Sequence, residues 1–191
     1  MKKIVLASRS LRRKEILQNL NLEFDIVYSD SQEYIDRYLS FEENVERIAL
    51  DKALNVAEKI DEDAVIISAE TMIIYEKLIG KPKSEQEAYD ILRSLSGKHH
   101  EVITGVCVFD TGENRGIFEH RKTKVKFVHL SDDFIWRYIN SGETWERAGA
   151  YAIKDAGALM VEKIEGCYTN VMGLPVSLLG EMLGEFDIQI I

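Results

Sequence analysis

Ile4-Val5-Leu6-Ala7-Ser8-Arg9-Ser10-Leu11-Arg12-Arg13-Lys14 decides the architecture. The four apolar residues read as a short buried strand. From Leu11 the period changes, and Leu11, Ile16, Leu17 and Leu20 fall on one side of a helix. A strand running straight into a helix opens an α/β sheet. The turn between them is Ser8-Arg9-Ser10. A helix start exposes unpaired N–H groups and the positive end of the macrodipole. Cations in a first turn oppose that dipole, so Arg12, Arg13 and Lys14 make sense there when an anion neutralises them. With two hydroxyls and the guanidinium forks added, the turn is predicted to bind a multiply charged anion, most naturally a phosphate chain. The plainer alternative is an N-cap serine followed by a solvated basic turn.

Downstream, Phe24–Tyr28 reads as a second strand, and residues 29–40 as a polar irregular segment. Glu33 in that segment is either a solvated loop acid or a metal ligand. A long helix is predicted over Phe41–Lys59, opened by a capping box of Ser40 and Glu43. Its apolar stripe is Val45, Ile48, Ala49, Ala53 and Val56. Lys52 lies on that stripe, where it must snorkel outward or meet an anion. Ala64–Ala69 is a nearly continuous apolar run, a strand buried on both faces. It is expected to end at Glu70-Thr71, with Met72–Tyr75 as a further strand segment. Glu70 interrupts the apolar sequence from within, and an unpaired buried acid is costly. It therefore requires a cation, a metal or a catalytic task. Pro82 holds Lys81 extended, so that side chain is aimed.

The remainder continues the alternation. Ser84 and Glu87 form a second capping box, for a helix to Leu95 closed by Ser96-Gly97. Glu101–Phe109 and Gly116–Leu130 form a hairpin through Thr111-Gly112-Glu113-Asn114. A helix covers Ser131–Ile139, and a strand Ala158–Ile164. Between them, Glu146 to Asp155 interleaves small residues with Arg147 and Lys154. Pro175 suits the first turn of a last helix, which ends at Met182, and Ile188–Ile191 reads as a final strand. The pattern predicts an α/β fold: a mixed twisted sheet with flanking helices. No linker or repeat divides the chain, so residues 1–191 are expected to form a single domain.

Composition excludes several classes. The 191 residues carry a net charge of −9, with 33 acids against 24 basic residues. That balance argues against a stable nucleic-acid complex and makes the Arg9–Lys14 cluster a local feature. Cys107 and Cys167 lack any metal or disulfide spacing, and the histidines at 99, 100, 120 and 129 read as structural or exposed. The first apolar run is too short for a signal peptide, and no window is long enough to span a bilayer. The expectation is a cytoplasmic protein without a membrane partner.

Taken in order, the motifs resemble those of the Maf-like nucleotide pyrophosphatases. Leu6-Ala7-Ser8-Arg9-Ser10-Leu11-Arg12-Arg13 is similar to the family's S-x-S-P-R-R signature, with Leu11 in place of proline. Glu33 is similar in placement to a family acid, and Asp51-Lys52-Ala53 to its helix lysine. Ser68-Ala69-Glu70-Thr71 resembles its A-D-T segment, with Glu70 for aspartate. Gly80-Lys81-Pro82, Leu95-Ser96-Gly97, His100-Glu101-Val102 and Thr104-Gly105-Val106 match. So do Ala148-Gly149-Ala150-Tyr151, Asn170-Val171 and Gly173-Leu174-Pro175.

The resemblance implies two lobes around a central cleft, as in inosine triphosphate pyrophosphatases. It also implies a homodimer, a divalent cation (Mg²⁺, Mn²⁺ or Co²⁺), and hydrolysis of a nucleoside triphosphate to monophosphate and pyrophosphate. It places Arg12, Arg13, Lys52 and Lys81 on the phosphates with Ser8 and Ser10. Glu70 becomes the base or a metal ligand, and Glu33 its companion ligand. Thr71 matches the subfamily acting on dTTP and UTP. Lys154 stands where the family has a glutamine linked to base selection, and Arg147 where lysine is common. Two alternatives accompany this reading: an inosine or xanthosine triphosphate pyrophosphatase, and a nucleotide-binding regulator without turnover.

Overall fold

The computed structural model describes residues 2–145 and 147–190; Met1, Glu146 and Ile191 lie outside the described residues. The strands are β1 (Lys3–Leu6), β2 (Asp25–Ile26), β3 (Ala64–Tyr75), β4 (Lys77–Ile79), β5 (His99–Asp110), β6 (Arg115–Phe127) and β7 (Val161–Glu165). The helices are α1 (Leu11–Asn19), α2 (Phe41–Ala57), α3 (Glu85–Leu95), α4 (Asp132–Asn140), α5 (Tyr168–Val171) and α6 (Val176–Gly184). The strands form one mixed sheet in the order β2-β1-β3-β5-β6-β7, with β4 paired to β3. β2 and β3 run parallel to β1, whereas β4 is antiparallel to β3 and β7 to β6. No helix among the described residues is long and apolar enough to cross a membrane.

The chain builds two compact units. One comprises Met1–Thr71, Thr104–Arg121 and Met172–Ile191; the other comprises Met72–Ile103 and Lys122–Val171.

In the first unit, strand alternation distributes the core. Ile4, Leu6, Val65, Ile67, Ala69, Val106 and Val108 pack with Ile16 and Leu17 of α1 and with Leu178, Leu179, Met182 and Leu183 of α6. Their neighbours Val5, Ala7, Ala64, Ile66, Cys107 and Phe109 pack with Ala49, Ala53 and Val56 of α2. Successive side chains of a strand point to opposite faces, so a strand covered on both sides is apolar throughout. Gly105 lets α2 approach β5: a Cβ there would lie 2.4 Å from the Val45 carbonyl carbon. No side chain fits in that space. The same burial on both sides pushes the Cys107 thiol up to about 12 and keeps it inert.

The second unit buries Thr123, Val125 and Phe127 from alternating positions of β6. Phe127 packs edge-on against His100 and Tyr151, and His100 Nε2 lies 2.7 Å from the Tyr151 hydroxyl. Burial, reinforced by His99, pushes His100 from 6.5 down to about 4. The unfolded chain therefore takes up this proton first as pH falls, and stability is lost between about 6.5 and 4. Between about pH 7.5 and about pH 5, urea unfolding of wild type should register a loss from this source of about 2 kcal/mol. His100→Gln, which keeps a hydrogen-bonding group but does not titrate, should lose correspondingly less.

Several boundaries differ from the sequence reading. β3 continues through Glu70 and Thr71 as one twelve-residue strand, because pairing with β4 carries it on as far as Tyr75. Residues 158–160 close a 3-10 segment, Asp155–Met160, and β7 begins at Val161. Ser84 caps α3, but Glu87 accepts from the Lys83 amide at 2.8 Å instead of completing the reciprocal box. At Ser40 and Glu43 both halves of the box are present. Pro175 is the N-cap of α6. Residues 188–190 form no strand; Ile188 instead anchors the chain end in the α1/α6 core, and Ile191 lies outside the described residues.

Candidate active site

The alternation that builds the first unit's core also places its polar residues. Ser68 and Glu70 lie on the α2 side of β3, and Thr71 on the α1 side. The Ser68 hydroxyl donates to the Ala49 carbonyl of α2 at 2.5 Å. One pleat further on, Glu70 reaches Lys52, whose ammonium lies 2.5 Å from Glu70 Oε2 and 2.6 Å from Glu33 Oε1. Lys52 is only 7% exposed and does not snorkel: it meets two carboxylates. The Glu70 side chain is 18% exposed and that of Glu33 is 55% exposed.

On the other side, Arg13 is buried at 8% exposure. Its Nε donates to the Gly173 carbonyl at 2.7 Å, Nη1 to Ser8 Oγ at 3.3 Å and Nη2 to Thr71 Oγ1 at 3.0 Å. Gly173 presents that carbonyl from a backbone with φ +102°, a region side chains rarely tolerate. Thr71 Oγ1 in turn lies 2.9 Å from Thr104 Oγ1. Three of the five guanidinium N–H groups thus fasten α1, β3 and the segment before α6 together. Burial pushes the Arg13 guanidinium below its ordinary range, and the charges of Glu70 and then Glu33 oppose that shift.

The turn after β1 is itself hydrogen-bonded. Ser10 is the N-cap of α1, accepting from the Arg13 amide at 3.4 Å. Ser8 Oγ accepts from the Ser10 amide at 3.1 Å. No acid occurs in the first turn of α1, so the dipole and the half-buried Arg12 leave this end positive. The exposed Arg9 stacks over Tyr28, 5.1 Å from its ring centroid.

Sequence reasoning missed the residues that hold the Glu33 segment. The buried Asn44 accepts from the Asp36 amide and donates to the carbonyls of Asp36, Leu39 and Ser40. Asn55 accepts from Ser29 and from the Asp30 amide. Lys59 reaches Tyr28 O at 2.9 Å and Asp30 at 2.6 Å. Asn44 and Asn55 lie on one side of α2 by helical spacing, and Lys59 follows just after the helix ends.

The structure therefore gathers Ser8, Ser10, Arg13 and Thr71 into one hydrogen-bonded set, and Glu33, Lys52 and Glu70 into another. Glu70 and Thr71 are adjacent on β3, and Arg12 adjoins the first set on α1. Lys81 and Lys154 belong to the second compact unit. Lys81 is exposed beside the buried Pro82, and Lys154 starts the 3-10 segment over Asp155–Met160.

Among the described residues no group of three or more His, Cys, Asp or Glu side chains could hold a metal ion. Two carboxylates converging on one ammonium nevertheless fit a hard cation that takes one or two protein carboxylates and completes its shell with phosphate oxygens and water. An all-oxygen donor set suits Mg²⁺ or Mn²⁺ better than Co²⁺.

Comparison with known proteins points one way. A sequence model of the family described as "Maf-like protein" matches residues 3–186. The chain is 49% identical over 183 residues to a protein of Alkaliphilus metalliredigens named "dTTP/UTP pyrophosphatase", covering 96% of this chain and 95% of that one. A protein of the same name from Alkaliphilus oremlandii is 45% identical over the full length of both. Among solved structures, a HAM1 protein from Coxiella burnetii shares the fold. It is 18% identical, with a TM-score of 0.52, over 97% of this chain and 100% of that one.

Proposed function

This chain belongs to the Maf-like protein family, and on that premise we propose that it hydrolyses nucleoside triphosphates to the monophosphate and pyrophosphate. The observation that carries the reading is the Glu33–Lys52–Glu70 cluster adjoining the Arg13-framed turn. Water attacks the α-phosphorus, the Pα–O bond to the β-phosphate breaks, and the bridging oxygen leaves with pyrophosphate. Glu70 takes the proton from that water. Arg12 and the amide-rich start of α1 bind the phosphate chain, while Arg13 holds Ser8 and Thr71 in place beside it. Lys52 and Lys81 offset charge on the chain and the leaving group, the role of Lys81 resting on the resemblance alone. Glu33 and Glu70 would hold a divalent cation, which when bound supplies charge neutralisation at the phosphates.

The names of the relatives, together with the resemblance at Thr71, support dTTP and UTP as substrates. The same resemblance supports a homodimer, which light scattering of the purified protein tests. A panel of nucleoside triphosphates assayed for pyrophosphate with Mg²⁺, Mn²⁺ and Co²⁺ tests the activity. Release from dTTP and UTP is expected, and none from any nucleotide would leave only a binding protein.

Lys154 is the departure expected to alter base choice. Glutamine both donates and accepts, whereas lysine only donates, so the N3–H of a uracil or thymine ring loses an acceptor. Lys154→Gln should raise the preference for UTP over CTP, read as the ratio of the two kcat/KM values. An unchanged ratio would remove Lys154 from base recognition.

A further inference from the structure

We propose that Lys52 is a built-in counter-ion for Glu33 and Glu70, one that a divalent cation must displace before those carboxylates can bind it. The inference rests on the hydrolase reading for what the carboxylates are used for, but its geometry stands alone. One ammonium sits 2.6 Å from Glu33 and 2.5 Å from Glu70, and also 3.5 Å from the Ala69 carbonyl. Without it, the like charges of Glu33 and Glu70 would face each other across the place its ammonium occupies, and they would repel. With it, and with Arg13 acting on both acids through space, two anions are matched by two cations.

That balance has a consequence for binding. A divalent cation entering alone meets two fixed positive charges and must break two short ion pairs, so its affinity is low. A triphosphate brings about four negative charges and turns this balanced site strongly negative. Lys52 then exchanges the carboxylates for phosphate oxygens, which its flexible stem and three donors permit. The partners differ in the freedom this exchange needs. Glu70 is fixed in the middle of β3, whereas the side chain of Glu33 is 55% exposed on an irregular segment. Lys52 therefore couples the two ligands: nucleotide raises metal affinity, and by linkage metal raises nucleotide affinity by the same factor.

Binding of Mn²⁺ alone to the nucleotide-free protein, measured by calorimetry or by the free-ion paramagnetic resonance signal, tests this. Wild type should bind with only millimolar affinity. Lys52→Met and Lys52→Gln should each bind one ion at least tenfold more tightly, Lys52→Arg should resemble wild type, and adding Glu70→Gln to Lys52→Met should abolish the gain. Folded Met and Gln variants that bind Mn²⁺ no better than wild type would overturn the proposal. So would a micromolar or tighter site in wild type itself, which decides the matter even if neither variant folds. Because no turnover is read, the two claims separate. Tighter Mn²⁺ binding without pyrophosphate release from any nucleotide would keep the counter-ion and discard the hydrolase.

Discussion

Glu70→Gln should lower kcat for pyrophosphate release by ~10²–10⁴, the usual range for removing a general base. The amide keeps the shape of the side chain but cannot take a proton from water. It also leaves Lys52 its ion pair with Glu33. Triphosphate binding should largely persist, because Arg12, Arg13 and the start of α1 are untouched. KM should therefore move far less than kcat, the signature of an interaction made in the transition state. Glu70→Asp restores the residue type typical of the family at a shorter reach and should retain measurable turnover. If Glu70→Gln turns over normally, the base is elsewhere, and Glu33 is the carboxylate to test next.

Arg13→Ala should damage both stability and activity. Its guanidinium donates to Gly173, Ser8 and Thr71 from three elements of the first unit. Truncation leaves a buried carbonyl without its donor and a cavity in its place. Together these should cost about 2–4 kcal/mol of unfolding free energy. In the folded fraction kcat/KM should fall at least tenfold, about 1.4 kcal/mol of transition-state stabilisation. Arg13→Lys separates frame from charge. A lysine keeps the positive charge beside Glu70 and Glu33 but cannot reproduce a planar fork spanning three acceptors. It should recover little of either loss. Substantial rescue by lysine, in urea unfolding and steady-state kinetics, would show that Arg13 acts as a charge rather than a brace.

The readable parts of this fold are those whose signals are local. The change of period at Leu11 marks α1, the Ser40/Glu43 box marks α2, and unbroken apolar runs mark strands covered on both faces. The individual anomalies were equally legible, a lysine on an apolar stripe and an acid inside an apolar strand. Their being each other's partner was not, because 18 residues separate Lys52 from Glu70 and only the packing of α2 on β3 joins them. The brace made by Arg13 was hidden for the same reason, with its Gly173 partner 160 residues away. Glu70 concealed the continuity of β3, since an acid in an apolar run looks like an end when its partner is unseen. β4 escaped because the turn into it uses Glu76 at φ 57°, without the glycine or asparagine that usually announces such a turn.

The most direct measurement is hydrolysis of UTP or dTTP in ¹⁸O-labelled water, followed by mass spectrometry of both products. Attack at the α-phosphorus with Glu70 as base places the label in the nucleoside monophosphate, leaves pyrophosphate unlabelled, and releases one pyrophosphate for each nucleotide consumed. Label in pyrophosphate, or release of orthophosphate in its place, would contradict the account.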